Sequence, residues 1–392
     1  MSERARVFAA GIASLLLTLG IARFAYTPLL PLMLEQTDLN ISGGGWLAAF
    51  NYTGYLIGAL IASRVRELRT KDRLYRLYLL LAVATTALMA WTENIWLWAF
   101  LRLLSGMSSS GGMLLASALI LNWLMRHRHR AELGIHFMGI GAGIALVALA
   151  VIWMQSLQYD WGLQWELLGA VGLVLAYIAW VWMPRPKAVA EASDQVLIDN
   201  PPAPRLERLL LISYFFAGIG YVVSATFIVD LVERQPGLQG QGAIAFALVG
   251  LGALPAVLFW DRLARKLGYF TALMSAYLVQ IVGILLPLQG SLFAAVFGAF
   301  IFGATFIGIV SLVLTLSGRF YPRSPARLMG KMTLAYGVAQ IIAPAITGEL
   351  TEYLGSYYWG IGLAAFAVLV GSLINARLIP LEQNEPALNP VK

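Results

Sequence analysis

Long apolar segments recur along this chain from end to end, and its polar residues are confined to the short stretches between them. Twelve such segments of about 20 residues, the length that crosses ~30 Å of hydrocarbon, fall near 7–34, 43–62, 74–92, 95–124, 134–155, 161–183, 207–231, 241–260, 269–287, 291–317, 328–350 and 357–380. A backbone in lipid has no water to bond to, so segments of this length must close their hydrogen bonds internally, as helices. The spacing predicts an all-α membrane protein of twelve transmembrane helices. Composition agrees. Hydrophobic residues make up 59% and charged residues 12%, where a soluble domain carries about 25% charged residues. The opening MSERARVF resembles the start of a signal peptide. Its apolar run continues to about Leu34 without a small-residue cleavage site, so an uncleaved first span is expected.

Charge sets the orientation. Of 27 Lys and Arg, all but Arg23, Arg102 and Arg234 fall in tails and loops that share one side of the membrane. Such loops stay cytoplasmic, which puts both termini and the loops at 63–76, 126–132, 184–208, 261–268 and 319–330 inside. Loops on the other side are short and often acidic. The net charge of +7 is spread over these loops rather than gathered in one patch, so no nucleic-acid partner is expected. With no cysteine there is no disulfide, thiolate chemistry or Cys-based metal site. No cofactor or metal is expected.

The Pro-rich, charged stretch at 184–208 reads as a flexible linker. It divides the chain into a six-helix bundle at 1–183, a linker at 184–206, a second six-helix bundle at 207–380 and a cytoplasmic tail at 381–392. The halves echo each other at an offset of about 195 residues. SRVRELRTKDRLYR (63–76) answers to DRLARKLGY (261–269), and the AELG run ending at Gly134 answers to ARLMG (326–330). A shared offset points to duplication. Two six-helix halves joined by a cytoplasmic linker describe a transporter with its site at the membrane midplane between them.

These residues resemble the major facilitator superfamily. WDRLARKLG (260–268) is similar to that family's loop motif. The resemblance implies a gating role for Asp261, Arg262, Arg265 and Gly268. The matching first-half loop keeps Gly58 but has no Asp–Arg pair where one would follow. RLLSGMSSSGG (102–112) resembles the fourth-helix motif in which a buried Arg precedes small residues. GVAQIIAPAITG (337–348) looks like the Gly-and-Pro antiporter motif, here on the eleventh helix. GIARFAYTPLLPLM (20–33) with YFFAGIGYVVSATFI (214–228) looks like the YbfB/YjiJ type of bacterial transporter. The resemblance implies the major facilitator fold, the bacterial inner membrane and transport by alternating access.

A cation in hydrocarbon costs roughly 2.5–3.5 kcal/mol or more and is kept for a purpose. Arg23 lies on a polar face of the first span with Tyr26 and Thr27, just before Pro28 and Pro31, which should bend the outer end. It reads as an anion-binding or coupling residue, or as a structural Arg satisfied by carbonyls. Arg102 reads as a cavity residue, or as one bonded to the backbone of the first helix. No Asp or Glu lies mid-span in the first half. The positions that echo Arg23 are Gly220 and Tyr221. A presumed cavity that is cationic on one side and aromatic on the other suggests an anionic organic substrate.

Polar stripes at helical spacing add Asn51 with Tyr55, Tyr214 with Tyr221, and Tyr336 with Gln340, each either packing or ligand contact. The SGMSSSGG run reads as close packing. His136 reads as a lone interfacial histidine, and Asp230, Glu233 and Glu349 as solvated loop charges. An intramembrane enzyme would need a nucleophile with a base, or a metal cluster. With three His, no Cys and no His paired with Ser or Asp in a span, that class is set aside. A monomer in lipid is expected, moving a small molecule, with a proton as candidate coupling ion. The alternative is a proton-coupled exporter of lipophilic or cationic compounds.

Overall fold

Each apolar segment is a helix, and several begin where a short polar side chain takes up the free N–H groups of the first turn. Asn40 Oδ1 accepts from Gly43 N at 2.8 Å, Asn94 Oδ1 from Trp96 N at 2.9 Å, Asp160 Oδ1 from Leu163 N at 2.8 Å and Ser291 Oγ from Ala294 N at 3.2 Å. The computed structural model describes residues 2–127, 129, 133–187, 199–322, 326–382, 385 and 388. The long helices are α1 (Glu3–Gln36), α2 (Ile41–Arg64), α3 (Leu68–Trp91), α4 (Ile95–Arg126), α5 (Gly134–Ser156), α6 (Trp161–Trp182), α7 (Pro204–Glu233), α8 (Gly242–Leu267), α9 (Tyr269–Gln289), α10 (Leu292–Phe320), α11 (Ala326–Leu354) and α12 (Tyr358–Glu382). They correspond one to one with the twelve expected spans.

Ten of these are apolar enough to cross a membrane by length and composition alone. The other two, α2 and α11, are diluted by Gly, Ser, Asn and Tyr in one and by Lys331, Tyr336 and Gln340 in the other. Their polarity fits their position, because one face of each packs on the other, while Leu334, Val338, Ile342 and Ile346 of α11 face outward. A Cβ on Gly45 would come within 2.4 Å of Pro344 O, and one on Gly337 within 3.1 Å of Leu56. On the other flank α5 packs on α8, where a Cβ on Gly141 would lie 3.2 Å from the Ala253 backbone. Gly337 lies 196 residues after Gly141, and Ala253 lies 197 after Leu56. The α2–α11 contact thus recurs as the α8–α5 contact, as expected for repeats related by a two-fold axis along the membrane normal.

At the centre, α1 and α7 are each 83% buried over their most apolar stretch, whereas α6 is 33% buried and turns Leu173, Val174 and Tyr177 outward. The run at 102–112 is a close-packing surface, as its small residues suggest. A Cβ on Gly106 would sit 1.8 Å from Asn51 O, and one on Gly54 would sit 1.8 Å from Leu103 O, so α2 and α4 are in backbone contact.

Most of the linker, 188–198, lies outside the described residues. Its ends dock on their own halves. Arg185 pairs with the buried Asp72, which also bonds Arg76, and Lys187 O accepts from Asn122 Nδ2 at 3.1 Å. Asn200 N donates to Phe320 O at 2.9 Å. Two boundaries differ from expectation. α7 starts at Pro204 rather than 207, because proline in the first turn lacks only an N–H that has no intrahelical partner there. Leu381 and Glu382 are helical rather than tail, because the Glu382 carboxylate accepts from Tyr269 N at 2.5 Å and Phe270 N at 3.1 Å and so caps α9.

Candidate functional site

The site grows from a local irregularity. Within α1, residues Leu16–Phe24 are π-helical, and the α-helix resumes at Tyr26. Pro28 has no N–H to return to either carbonyl one turn before it, that of Phe24 in α register or Arg23 in π register. Carbonyls of the π segment take donors from α4. Arg102 Nη1 donates to Ala22 O at 3.1 Å and Nη2 to Arg23 O at 3.4 Å, while the hydroxyls of Ser105 and Ser109 donate to Ala22 O and Thr18 O, each at 2.5 Å. The Arg102 guanidinium lies 4.4 Å from the centre of the Tyr26 ring, and Tyr26 Oη donates to Gly44 O at 2.8 Å. Asn51 Nδ2 donates to Arg102 O at 3.0 Å. Arg102, Tyr26 and Asn51 therefore form one scaffold that holds α1, α2 and α4 together.

Arg23 is carried by the π segment and is 6% exposed. Its guanidinium carbon lies 4.2 Å from the Tyr55 ring centre, 4.8 Å from Tyr52 and 5.3 Å from Phe24. Nη2 donates to Tyr221 Oη at 3.3 Å, and Nε is buried without a partner. Among the described residues no carboxylate pairs with it. Ring faces return about 0.5–2 kcal/mol to such a cation, less than a buried charge needs.

Across the two-fold axis stands an aromatic stack. The Tyr214 and Tyr336 ring centres are 4.4 Å apart, Tyr221 and Tyr336 5.7 Å, Tyr221 and Phe306 5.0 Å, and Phe302 and Phe306 5.6 Å, with interplanar angles of 22–28°. Thr27 Oγ1 donates to Ala225 O at 2.7 Å, four residues on from the Arg23–Tyr221 contact in both helices. Both contacts span 198 residues, so equivalent positions of α1 and α7 face each other at the axis.

The candidates thus divide. Arg23, Tyr55, Tyr214, Tyr221 and Tyr336 come together at the centre, and Gln340 is buried one turn beyond Tyr336 on α11. Tyr26, Asn51 and Arg102 form the supporting scaffold. Asp261, Arg262, Arg265 and Gly268 lie apart, at the end of α8. There Arg265 Nη2 pairs with Asp261 Oδ2 at 2.7 Å and Arg262 is exposed. Gly268 holds φ +94° and ψ 155°, a region essentially reserved for glycine, with the Glu382 carboxylate where a Cβ would project.

Three residues escaped the sequence reading: Tyr52, Phe302 and Phe306. The i, i+4 spacing of Phe302 and Phe306 on one span was the available signal. Two expectations are corrected. His136 is buried between α1 and α4 and shares a hydrogen bond of 3.2 Å with the Ser117 hydroxyl, because Gly11 leaves room for its ring. Asp230 is buried rather than solvated, and accepts from Tyr357 Oη at 2.5 Å and Arg234 Nε at 2.6 Å. Burial alone would lower the pKa of the Arg234 guanidinium, but the bond to Asp230 and its charge outweigh that and raise it. Glu349 and Glu352 are exposed yet bonded. Glu349 Oε1 accepts from Ser42 Oγ at 2.7 Å and Trp46 Nε1 at 3.0 Å, and Glu352 Oε2 accepts from Ile41 N at 3.1 Å, all at the N-terminus of α2.

Two six-helix halves about an axial, buried and polar centre define a membrane transporter of the major facilitator fold. The solved nucleoside transporter NupG superposes with a TM-score of 0.74, at 12% identity over 97% of this chain and 99% of that one. A bacterial homolog of the human lysosomal transporter Spinster, inward-facing and occupied, superposes with a TM-score of 0.66 at 17% identity over the whole of both chains. The family model described as uncharacterised MFS-type transporter YbfB matches residues 15–376, and the chain belongs to that family. It is 24% identical over 369 residues to the uncharacterized MFS-type transporter YceJ of Bacillus subtilis strain 168, covering 88% of this chain and 90% of that one. It is 21% identical over 372 residues to YtbD of the same organism, covering 91% of each.

Proposed function

We propose that this transporter moves a small organic anion across the bacterial inner membrane by alternating access, with Arg23 as the anion contact. The observation that carries this reading is a buried guanidinium at the axis that meets ring faces and a phenol hydroxyl, has no partner on Nε and is neutralised by no described carboxylate. An anion would supply the missing charge and take paired N–H donors in plane. Export of cations, the alternative, has no acid beside Arg23 to recommend it.

The test compares a matched acid and amide for binding and uptake in proteoliposomes. Arg23→Lys keeps the charge but loses the planar fork, so it should retain weakened acid binding. Arg23→Gln should lose the acid far more than the amide. Equal loss of both with unchanged folding sinks the reading.

Both termini and the linker belong on the cytoplasmic side, where the basic loops gather. A single cysteine at Lys187 should react with an impermeant maleimide only from inside, and one at Glu93 only from outside. The reverse pattern would invert the topology. The hydrogen bonds between the halves gather at the centre and at the side opposite the termini: Arg23–Tyr221, Thr27–Ala225 and the Glu349 and Glu352 bonds to α2. Under this topology that side is the outer gate, closed here. Opening the inner side then rocks one half against the other about the Arg23 site. Asp261 and Arg265 at the end of α8 are suited to hold the inner side in its closed arrangement.

A further inference from the structure

Resting on the anion reading, we infer that the substrate is an aromatic monocarboxylate, its carboxylate on Arg23 and its ring continuing the stack of Tyr221, Tyr336 and Phe306. Three observations carry this. First, of the buried guanidinium groups of Arg23 and Arg102, only that of Arg23 has no backbone carbonyl on its terminal nitrogens. Arg102 spends both terminal nitrogens on Ala22 O and Arg23 O and lies on Tyr26, so it has no free fork for a second carboxylate. Second, the surface across from Arg23 is built of parallel rings. Tyr221 is parallel to Phe302 within 10° and to Tyr336 within 23°. Planar rings stack on such a face in offset arrangements, whereas a saturated ring is thick and lacks the quadrupole. Third, the two recognition elements sit on different halves. The cation belongs to α1, with Tyr52 and Tyr55 of α2 around it, and the stack belongs to α7, α10 and α11.

Tyr221 Oη joins the two elements by accepting from Arg23. A carboxylate would replace that weak contact of 3.3 Å with two charge-assisted bonds, and the ring attached to it would reach the stack. One ligand would then bridge both halves, which is what couples binding to closure. Tyr55, which covers the guanidinium at 4.2 Å, is only half-buried, unlike Tyr52 and Tyr221, and marks the side from which a ligand would approach.

The experiment measures dissociation constants of the purified full chain for benzoate, cyclohexanecarboxylate, benzamide and terephthalate. Benzoate should bind at least ~10-fold more tightly than cyclohexanecarboxylate or terephthalate, with benzamide weakest; tenfold corresponds to about 1.4 kcal/mol. Phe306→Leu should bring benzoate and cyclohexanecarboxylate toward equal affinity while leaving acid preferred over amide. If that variant does not fold, Phe302→Leu makes the same comparison. Equal binding of benzoate and cyclohexanecarboxylate by the unmodified chain overturns the aromatic inference and leaves the anion reading intact. Equal binding of benzoate and benzamide, unchanged in Arg23→Gln, overturns the anion reading and this inference with it. Failure of benzoate to bind at all overturns the aromatic inference.

Discussion

Arg23 and Arg102 both leave Nε without a partner, but at Arg102 both terminal nitrogens are taken up by the backbone of α1, whereas at Arg23 Nη2 meets only a phenol. Two intramembrane arginines that look alike in sequence therefore separate by what surrounds them. Removing Arg102 would leave the Ala22 carbonyl with Ser105 alone and the Arg23 carbonyl without its donor. An abandoned buried acceptor costs ~1–3 kcal/mol. Arg102→Gln should accordingly lower the thermal unfolding temperature, and Arg102→Lys should restore part of the loss. The ratio of acid to amide affinity should stay as in the unmodified chain, since Arg23 still makes that distinction. Acid binding lost at unchanged thermal stability would instead make Arg102 a ligand contact.

At the scale of helices, the tightest element contact is that of α2 with α4, where Gly54 and Gly106 admit a carbonyl at 1.8 Å from where a Cβ would stand. Gly54→Ala must push the helices apart, and overpacking of this kind costs ~1–3 kcal/mol. Folded yield in detergent should drop. Gly134→Ala is the control, since its Cβ would meet nothing within 4 Å and should leave yield unchanged. Equal yields from the two variants would refute the close-contact account.

All twelve helices were legible in the sequence because lipid leaves a 20-residue apolar segment no other structure. The π segment was not. α and π registers differ in which carbonyl each N–H reaches, and here that is settled by Arg102, Ser105 and Ser109 on a distant span; Pro28 was the local hint. Arg23 and the four tyrosines were legible as polar or aromatic residues within spans. The assignment of Asn51 to the α2–α4 contact was not, because residues on one helical stripe can face a neighbour or a cavity with the same spacing. Phe302 and Phe306 were hidden among ordinary apolar residues. The burial of Asp230 depended on Tyr357, 127 residues away.

Across the whole molecule, alternating access requires that the contacts closing one side break once per cycle. The candidates are concentrated. The carboxylates of Glu349 and Glu352 on α11 take up Ile41 N and the side chains of Ser42 and Trp46 at the start of α2, where unpaired N–H groups and the helix dipole favour negative charge. These bonds are exposed to water, so each is worth little alone. A conformational equilibrium moves by the differential free energy of its two states, however, and about 1.4 kcal/mol shifts it tenfold. Replacing both acids (Glu349→Gln with Glu352→Gln) should raise the outward-open population by a few-fold to tenfold. The chain contains no cysteine, so a single one can report the shift without background. A Thr27→Cys substitution places the reporter beside Ala225, behind the contacts proposed as the outer gate. Its rate of labelling by an impermeant maleimide added outside should rise in the double variant over Thr27→Cys alone. The same labelling should fall when a substrate anion holds the halves together. An unchanged labelling rate in the double variant would mean that the α1–α7 and α2–α11 backbone contacts, rather than these carboxylates, keep the outer side shut.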